Sequence, residues 1–516
     1  MQPNHPRHLD PERGAALIMT LFILVALTLI ATVSVMVSET EMDIAGNVTK
    51  KTQALLAAEA GMARVDAVMA ANPDMVSRDS LLYIINSDTV LPNASFTVSM
   101  DTTMPLRRVT AVGRSEPGGV AAIQVTYRHR ANPLNLWNNA VFAGHGQNSM
   151  SIRGNVGVHG SVHILGDGEP YVDANGNDVW DAGESYTDAN HDGTYDGPMT
   201  ADSIALDMAG GASLYNNYAG MNAVISSRIP PITTTYYGGE TVQTLDAELR
   251  VKHGNVAIDG TASIGSPDVS GGAPAIKETY DGVYVLDGFT GTSGSSAVYS
   301  DATSSYDLPD GKLTMPNLDE PYTDAGGTNH ATYMDYLRSD ALVISGDLVI
   351  EEGISIPLMS GAGGSMSVDA FGNVVASGKV YVEGNIIIKG ANPMLYDGRF
   401  SLISEGNVTI DADFLSKGTF ATDDVMGIIS RGSMHLGGDK AHLDLTGAFF
   451  SQEEVIVSKQ TQMAGTIVSN YFGATNVPDI FQVPELVKNL PPGMPGGQSV
   501  YVNVWMRVPK SWVELD

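Results

Sequence analysis

Residues 13–37 read RGAALIMTLFILVALTLIATVSVMV, an uncharged apolar run behind a single arginine. A short leader carrying Arg7 and His8 precedes it. From Ala15 to Val37 the run is long enough to cross the roughly 30 Å hydrocarbon core of a bilayer as a helix. A secretory signal peptide shares the basic start and apolar core. No A-x-A-like site of small residues ends this run, however; Ser38-Glu39-Thr40-Glu41 follows. The helical period then continues through Ile44, Val48, Leu55, Ala58, Met62, Val65 and Met69, and Asn72-Pro73 stops it. The pattern predicts a leader over 1–14 and one helix over 15–72, membrane-spanning first and amphipathic after.

Three short stretches sharpen this reading. They are Arg13-Gly14-Ala15-Ala16-Leu17, Ala45-Gly46-Asn47, and Gln53-Ala54 with Ala57-Ala58-Glu59-Ala60-Gly61. Over about residues 12–70 the chain resembles the N-terminal domain of PilX-type minor pilins, within the type IV pilin and pseudopilin family. The resemblance implies cleavage by a prepilin peptidase between Gly14 and Ala15, with methylation of the new amine on Ala15. It also implies an inner-membrane, single-pass stage with the body in the periplasm, and helix packing among other major and minor pilins at the cell surface. One departure matters. The fifth mature position, a glutamate in major pilins, is Met19 here. In the family that glutamate pairs with the terminal amine of a neighbouring subunit, a neighbour that a subunit at the filament tip lacks. Tip-located pseudopilins share the loss; divergence, or a permanent membrane anchor, also accounts for it.

The whole chain has 516 residues, enough for more than one domain. Lys and Arg number 28 against 58 Asp and Glu, a formal net charge of -30. Such a body repels phosphate backbones, so nucleic acid is not an expected partner. The charge suits divalent cations and solubility outside the cell, although a generally acidic proteome explains it equally. Cysteine is absent, so no disulfide holds the loops and bound metal is the expected crosslink.

Beyond the helix the fold class is mostly β. Residues 73–137 predict a pilin-like α+β region. Ser95–Met100, Arg108–Val112 and Ala121–Tyr127 alternate apolar and polar as half-buried strands do, and they form a small antiparallel sheet against the helix's apolar stripe. From residue 138 a repeat sets in, glycine then Asn, Ser or Asp then alternating aliphatics. It recurs at Gly154-Asn155, Gly160-Ser161, Gly254-Asn255, Gly346-Asp347, Gly384-Asn385, Gly406-Asn407 and Gly432-Ser433. Spacings of roughly 20–25 residues are the scale of one solenoid coil. The glycine is expected to supply a corner with positive φ, and the strand after it sends every second side chain inward. Residues 138–472 are therefore read as a parallel β-helix, with a β-sandwich as the rival. Residues 473–516 form a cap or tail, and the last strand-like run, Val500–Trp505, is expected to pack back on the body.

The sharpest chemistry lies in the insertion 166–198. A calcium loop needs oxygens at positions one, three, five, seven, nine and twelve. From Asp173 these are Asp173, Asn175, Asn177, the Val179 carbonyl, Asp181 and Glu184. The sixth position, usually glycine, is Asp178. A second copy gives Asp188, Asn190, Asp192, the Thr194 carbonyl and Asp196, with Gly193 at the sixth place. Its twelfth position is Met199, so this loop is weaker or completed from elsewhere. Ca2+ is the expected cofactor; an acidic, solvated insertion is the alternative. His159 and His163 lack a third ligand, and Asp301, Asp307 and Asp310 read as loop polarity. No G-x-S-x-G, Walker or H-E-x-x-H pattern occurs, so no catalysis is expected. The reading is a minor pilin-like component of a type IV pilus, at or near the tip. It primes assembly or presents the β-helical head to a surface or glycan receptor. A structural pseudopilin of a type II secretion system and a pilin-anchored carbohydrate-active β-helix are the alternatives.

Overall fold

The computed structural model describes residues 11–72, 75–87, 90–101, 106–116, 118–147, 152–177, 179–237, 240–267, 275–309, 311–498, 500–508 and 511–515. The chain divides into two compact units, residues 1–131 with 503–516, and residues 132–502.

In the first unit, helix α1 runs from Pro11 to Ala71 and α2 from Arg78 to Ile85, the latter capped by the Ser77 hydroxyl. Strands β1 (Ala94–Met100), β2 (Leu106–Ser115) and β3 (Gly119–Leu134) form an antiparallel meander. The second half of α1 is buried at Ala54, Ala57, Ala58, Met62, Val65, Val68 and Met69, the three- and four-residue spacing of one helix face. That face packs on Phe96, Val98, Val109, Ala111, Ile123, Val125 and Tyr127, the inward residues of alternating strands. Small residues set the distance. A Cβ on Gly113 would lie 1.9 Å from the Ala54 carbonyl oxygen, so helix and sheet backbones meet only because this position is glycine. The strand Val500–Arg507 pairs with β3. The run expected to fold back on the body thus extends the antiparallel sheet instead. Arg507 grips Asp66, which also accepts from the Tyr127 hydroxyl at 2.7 Å.

The second unit is built on a ladder of parallel pairs. Through it one position can be followed: Ser304, Tyr284, Arg250, His163, Phe142, Val468, Phe450, Ile429, Ile403, Tyr381, Val343. The order in space is not the order in sequence. The chain enters the ladder in the middle, at strand β4 (Val141–Gln147), and adds rungs to one side as far as Thr303–Ser304. Residues 305–341 then travel along the ladder to its opposite end. They are tied on the way by Asp307–Arg250 at 2.8 Å, Leu318 N to Gln452 Oε1 at 2.8 Å, Asp319–Arg431 at 3.0 Å, and Arg338 to Glu383 and Glu405. The chain re-enters at Leu342–Ile344 and builds back until Gln460–Ala474 lies beside β4. Of the expected tail, Asp479–Phe481 joins this ladder, and residues 503–515 belong to the first unit.

The glycine corners meet the expectation in part: Gly154, Gly160, Gly254 and Gly346 have positive φ, but Gly384, Gly406 and Gly432 do not. Their Cβ atoms would instead strike Asp347, Asn385 and Asn407 Oδ1 at 2.4, 2.5 and 2.2 Å. Those oxygens accept from the next rung's backbone: Asn385 N at 2.8 Å, Asn407 N and Ser433 N at 2.9 Å. At these three corners glycine is required because a ladder of side-chain oxygens from Asp347, Asn385 and Asn407 runs through the space a Cβ would fill.

Candidate functional site

Two regions carry features that the folding of the chain itself does not use. The first is the front of α1. Every residue from Leu17 to Ala45 is exposed, and the helix is long and apolar enough to cross a membrane. Met19, at the place of the missing glutamate, is exposed with the rest. The expected processing site, Gly14 and Ala15, falls in the first turns of α1. Residues 1–10 and the side chains of 11–16 are outside the described part. An exposed apolar surface of this length needs a lipid or protein environment, because leaving it in water is unfavourable at about 25 cal/mol per Å2.

The second is the insertion 166–198. In the first loop Asp173 Oδ1 caps its own turn, accepting from Gly176 N at 2.7 Å and Asn175 N at 3.2 Å. The Asn175 and Asn177 amides both donate to Asp181 Oδ2, at 2.6 and 2.9 Å. Glu184 spans the loop, accepting from Ala174 N and Asp181 N at 2.9 Å each. Val179 is exposed and its N–H is held by Asn177 Oδ1 at 2.9 Å. Asp178 lies outside the described residues. In the second loop Asp188 accepts from Asp192 N at 3.1 Å and Gly193 N at 2.9 Å, and Asn190 Nδ2 donates to Asp196 Oδ2 at 2.6 Å. Thr194 donates both its N–H and hydroxyl to Asp192, holding that carboxyl below the usual range. These bonds link the candidate ligand residues within each loop, and their oxygens are turned onto N–H donors. Among the described residues no three His, Cys, Asp or Glu side chains form a ready-made metal cluster.

Two features of this insertion were not visible from the twelve-residue spacing. Glu169, ahead of both loops and buried, accepts from Ala189 N at 2.7 Å and Asp196 N at 3.0 Å. Burial, more than the neighbouring Asp196 and Asp188, pushes its carboxyl up. The second loop is also fastened to the ladder, by the Tyr471 hydroxyl on Asp196 at 2.9 Å and by His191 with Glu453 at 2.8 Å. The weaker candidates do not converge. His159 is stacked between Tyr215 and Phe481, and His163 lies against Phe142 and Tyr306. Asp301 and Asp307 neutralise Lys277 and Arg250, and Asp310 is not among the described residues.

Residues 13–63 match the family model described as PilX N-terminal. Over these residues the chain is similar to that family. The matched residues cover the exposed front of α1 and the start of its buried half. No curated protein matches the chain. Among solved structures it is similar to the competence-associated pilin ComZ from Thermus thermophilus, at 19% identity and a TM-score of 0.49, over 91% of this chain and 97% of that one.

Proposed function

We propose that this chain is a minor pilin-like component of a type IV pilus, held at or near the tip, where it primes assembly or presents its second unit for adhesion. The PilX-type segment carries the proposal, because it coincides with the helix front that the rest of the chain leaves bare. On this reading a prepilin peptidase cuts between Gly14 and Ala15, and Ala15 is methylated. The helix waits in the inner membrane with the body in the periplasm, and then packs among other pilins. Met19 in place of a glutamate favours a subunit with no neighbour above it. The bulk of residues 132–502 would crowd a helically packed shaft and favours the same position.

The second unit is read as a parallel β-helix head. Its support is the in-register parallel ladder and the ladder of side-chain oxygens at the glycine corners. A surface or glycan receptor is the partner that such a head would serve. Ca2+ is the cofactor proposed for both loops of the insertion, bound through Asp173, Asn175, Asn177, Val179, Asp181 and Glu184, and through Asp188, Asn190, Asp192, Thr194 and Asp196. The donor set fits a hard cation: carboxylates, amide oxygens and carbonyls, with no nitrogen or sulfur ligand. The test is deletion of the chain in its own cell, with counting of surface pili. Loss of pili or of pilus-dependent attachment is expected. Unchanged piliation together with unchanged attachment would refute the assignment.

A further inference from the structure

The insertion carries an internal two-fold relation. Each residue of the first copy has its counterpart fifteen positions later, Glu169 with Glu184 and Asp173 with Asp188. The contacts come in exchanged pairs. Val172 N donates to Ser185 O, and Thr187 N to Pro170 O, both at 2.8 Å. Tyr171 bridges its own counterpart Tyr186 antiparallel. Trp180 and Tyr195, each at position eight of its loop, stack with centroids 4.6 Å apart.

The same exchange relates the two glutamates. Glu184 Oε1 and Oε2 accept from the N–H groups at positions two and nine of the first loop, Ala174 and Asp181. Glu169 Oε1 and Oε2 accept from the same two positions of the second loop, Ala189 and Asp196. Resting on the calcium reading above, we infer that Glu169 is the closing ligand of the second loop, as Glu184 is of the first. Each half of the duplication thus lends its glutamate to the site formed by the other half. The twelfth position, Met199, has no such duty; its methyl end lies by Gly146 and its sulfur by Gly254.

An observation beyond the loop's own acidic residues points to a cation. Glu169 lies outside the loop and is 2% exposed. Neither it nor Asp188, Asp192 or Asp196 forms an ion pair with Lys, Arg or His among the described residues. Burying a carboxylate without a countercharge is costly, and a bound cation removes that cost. Each oxygen of Glu169 accepts one N–H, which leaves a lone pair on each for a bidentate contact. With Glu169 the second site has four carboxylates against three in the first, so it becomes the tighter of the two.

The test is a calcium titration of the full-length, detergent-solubilised chain after chelation, read by calorimetry, with unfolding of each calcium-free variant checked by circular dichroism. Wild type is expected to take two ions, and Glu169→Gln to weaken the tighter phase about 100-fold while leaving the other. Paired variants then read the exchange. Glu169→Gln with Asp188→Asn damages one site and retains one ion; Glu169→Gln with Asp173→Asn damages both and retains none. Two unchanged ions in Glu169→Gln, or the reverse outcome of the two pairs, would overturn the exchange while calcium binding stood. A wild-type chain that takes no ion would overturn the calcium reading itself.

Discussion

The front of α1 and the central rungs of the ladder are both dominated by apolar side chains, and they end in opposite surroundings. Leu24 and Ile30 are more than 60% exposed, whereas Phe449 and Ile428 are fully buried. The difference lies in what each segment has beside it. A rung has a rung above and below, so its backbone pairs and its side chains fill a shared interior. The helix satisfies its own backbone, and among the described residues every side chain from Leu17 to Ala45 is left exposed by this chain. The interior of the ladder is covered by the chain's own rungs, and the helix front is left exposed.

Substitutions can break this contrast, beginning with the largest effect. Phe449→Ala should cost about 3–5 kcal/mol in denaturant unfolding of the detergent-solubilised chain. Leu24→Ala should stay within about 0.5 kcal/mol, as an exposed site does; equal losses would mean that the helix front packs inside the protein. Leu24→Arg should disfavour insertion by about 2.5–3.5 kcal/mol, with a soluble fraction appearing after carbonate extraction. The melting curve of the body should not move. Gly113→Ala should lose about 1–3 kcal/mol, because its methyl group enters the Ala54 backbone. Gly46→Ala, with open space around its Cβ, should be neutral or gain about 0.5–1 kcal/mol from helix propensity. Arg507→Ala should cost only about 0.5–1 kcal/mol, since its pair with Asp66 is half exposed. A larger loss would show that the C-terminal strand depends on that pair.

The helix was legible because an uncharged apolar run from Ala15 to Val37 passes into a helical apolar period from Ile44 to Met69, whatever surrounds it. The alternation in β1 to β3 was legible for the same reason: each strand has one wet face and one dry face. The glycine corners were legible as positions, and positive φ holds at Gly154, Gly160, Gly254 and Gly346, but the cause at Gly384, Gly406 and Gly432 was not legible. Close approach of Asn385 to Gly406 exists only once two rungs are stacked, and no single corner contains it. The order of the rungs was hidden as well. Neighbouring coils bury similar aliphatics, so nothing local says that Phe142 pairs with Val468 instead of starting an end. In the insertion, the spacing picked out the candidate loop residues. Glu169 escaped because it lies outside both twelve-residue windows. Its signal was the repeated Glu-x-Tyr-x-Asp-Ala-Asn, which marks it as the counterpart of Glu184.

The proposed pilin role of the bare helix front stands or falls on its processing. The most direct measurement is the intact mass of the membrane-extracted chain, expressed with and without prepilin peptidase. The account predicts a chain beginning at methylated Ala15 only when the peptidase is present. A chain beginning at Met1 in both strains would contradict it.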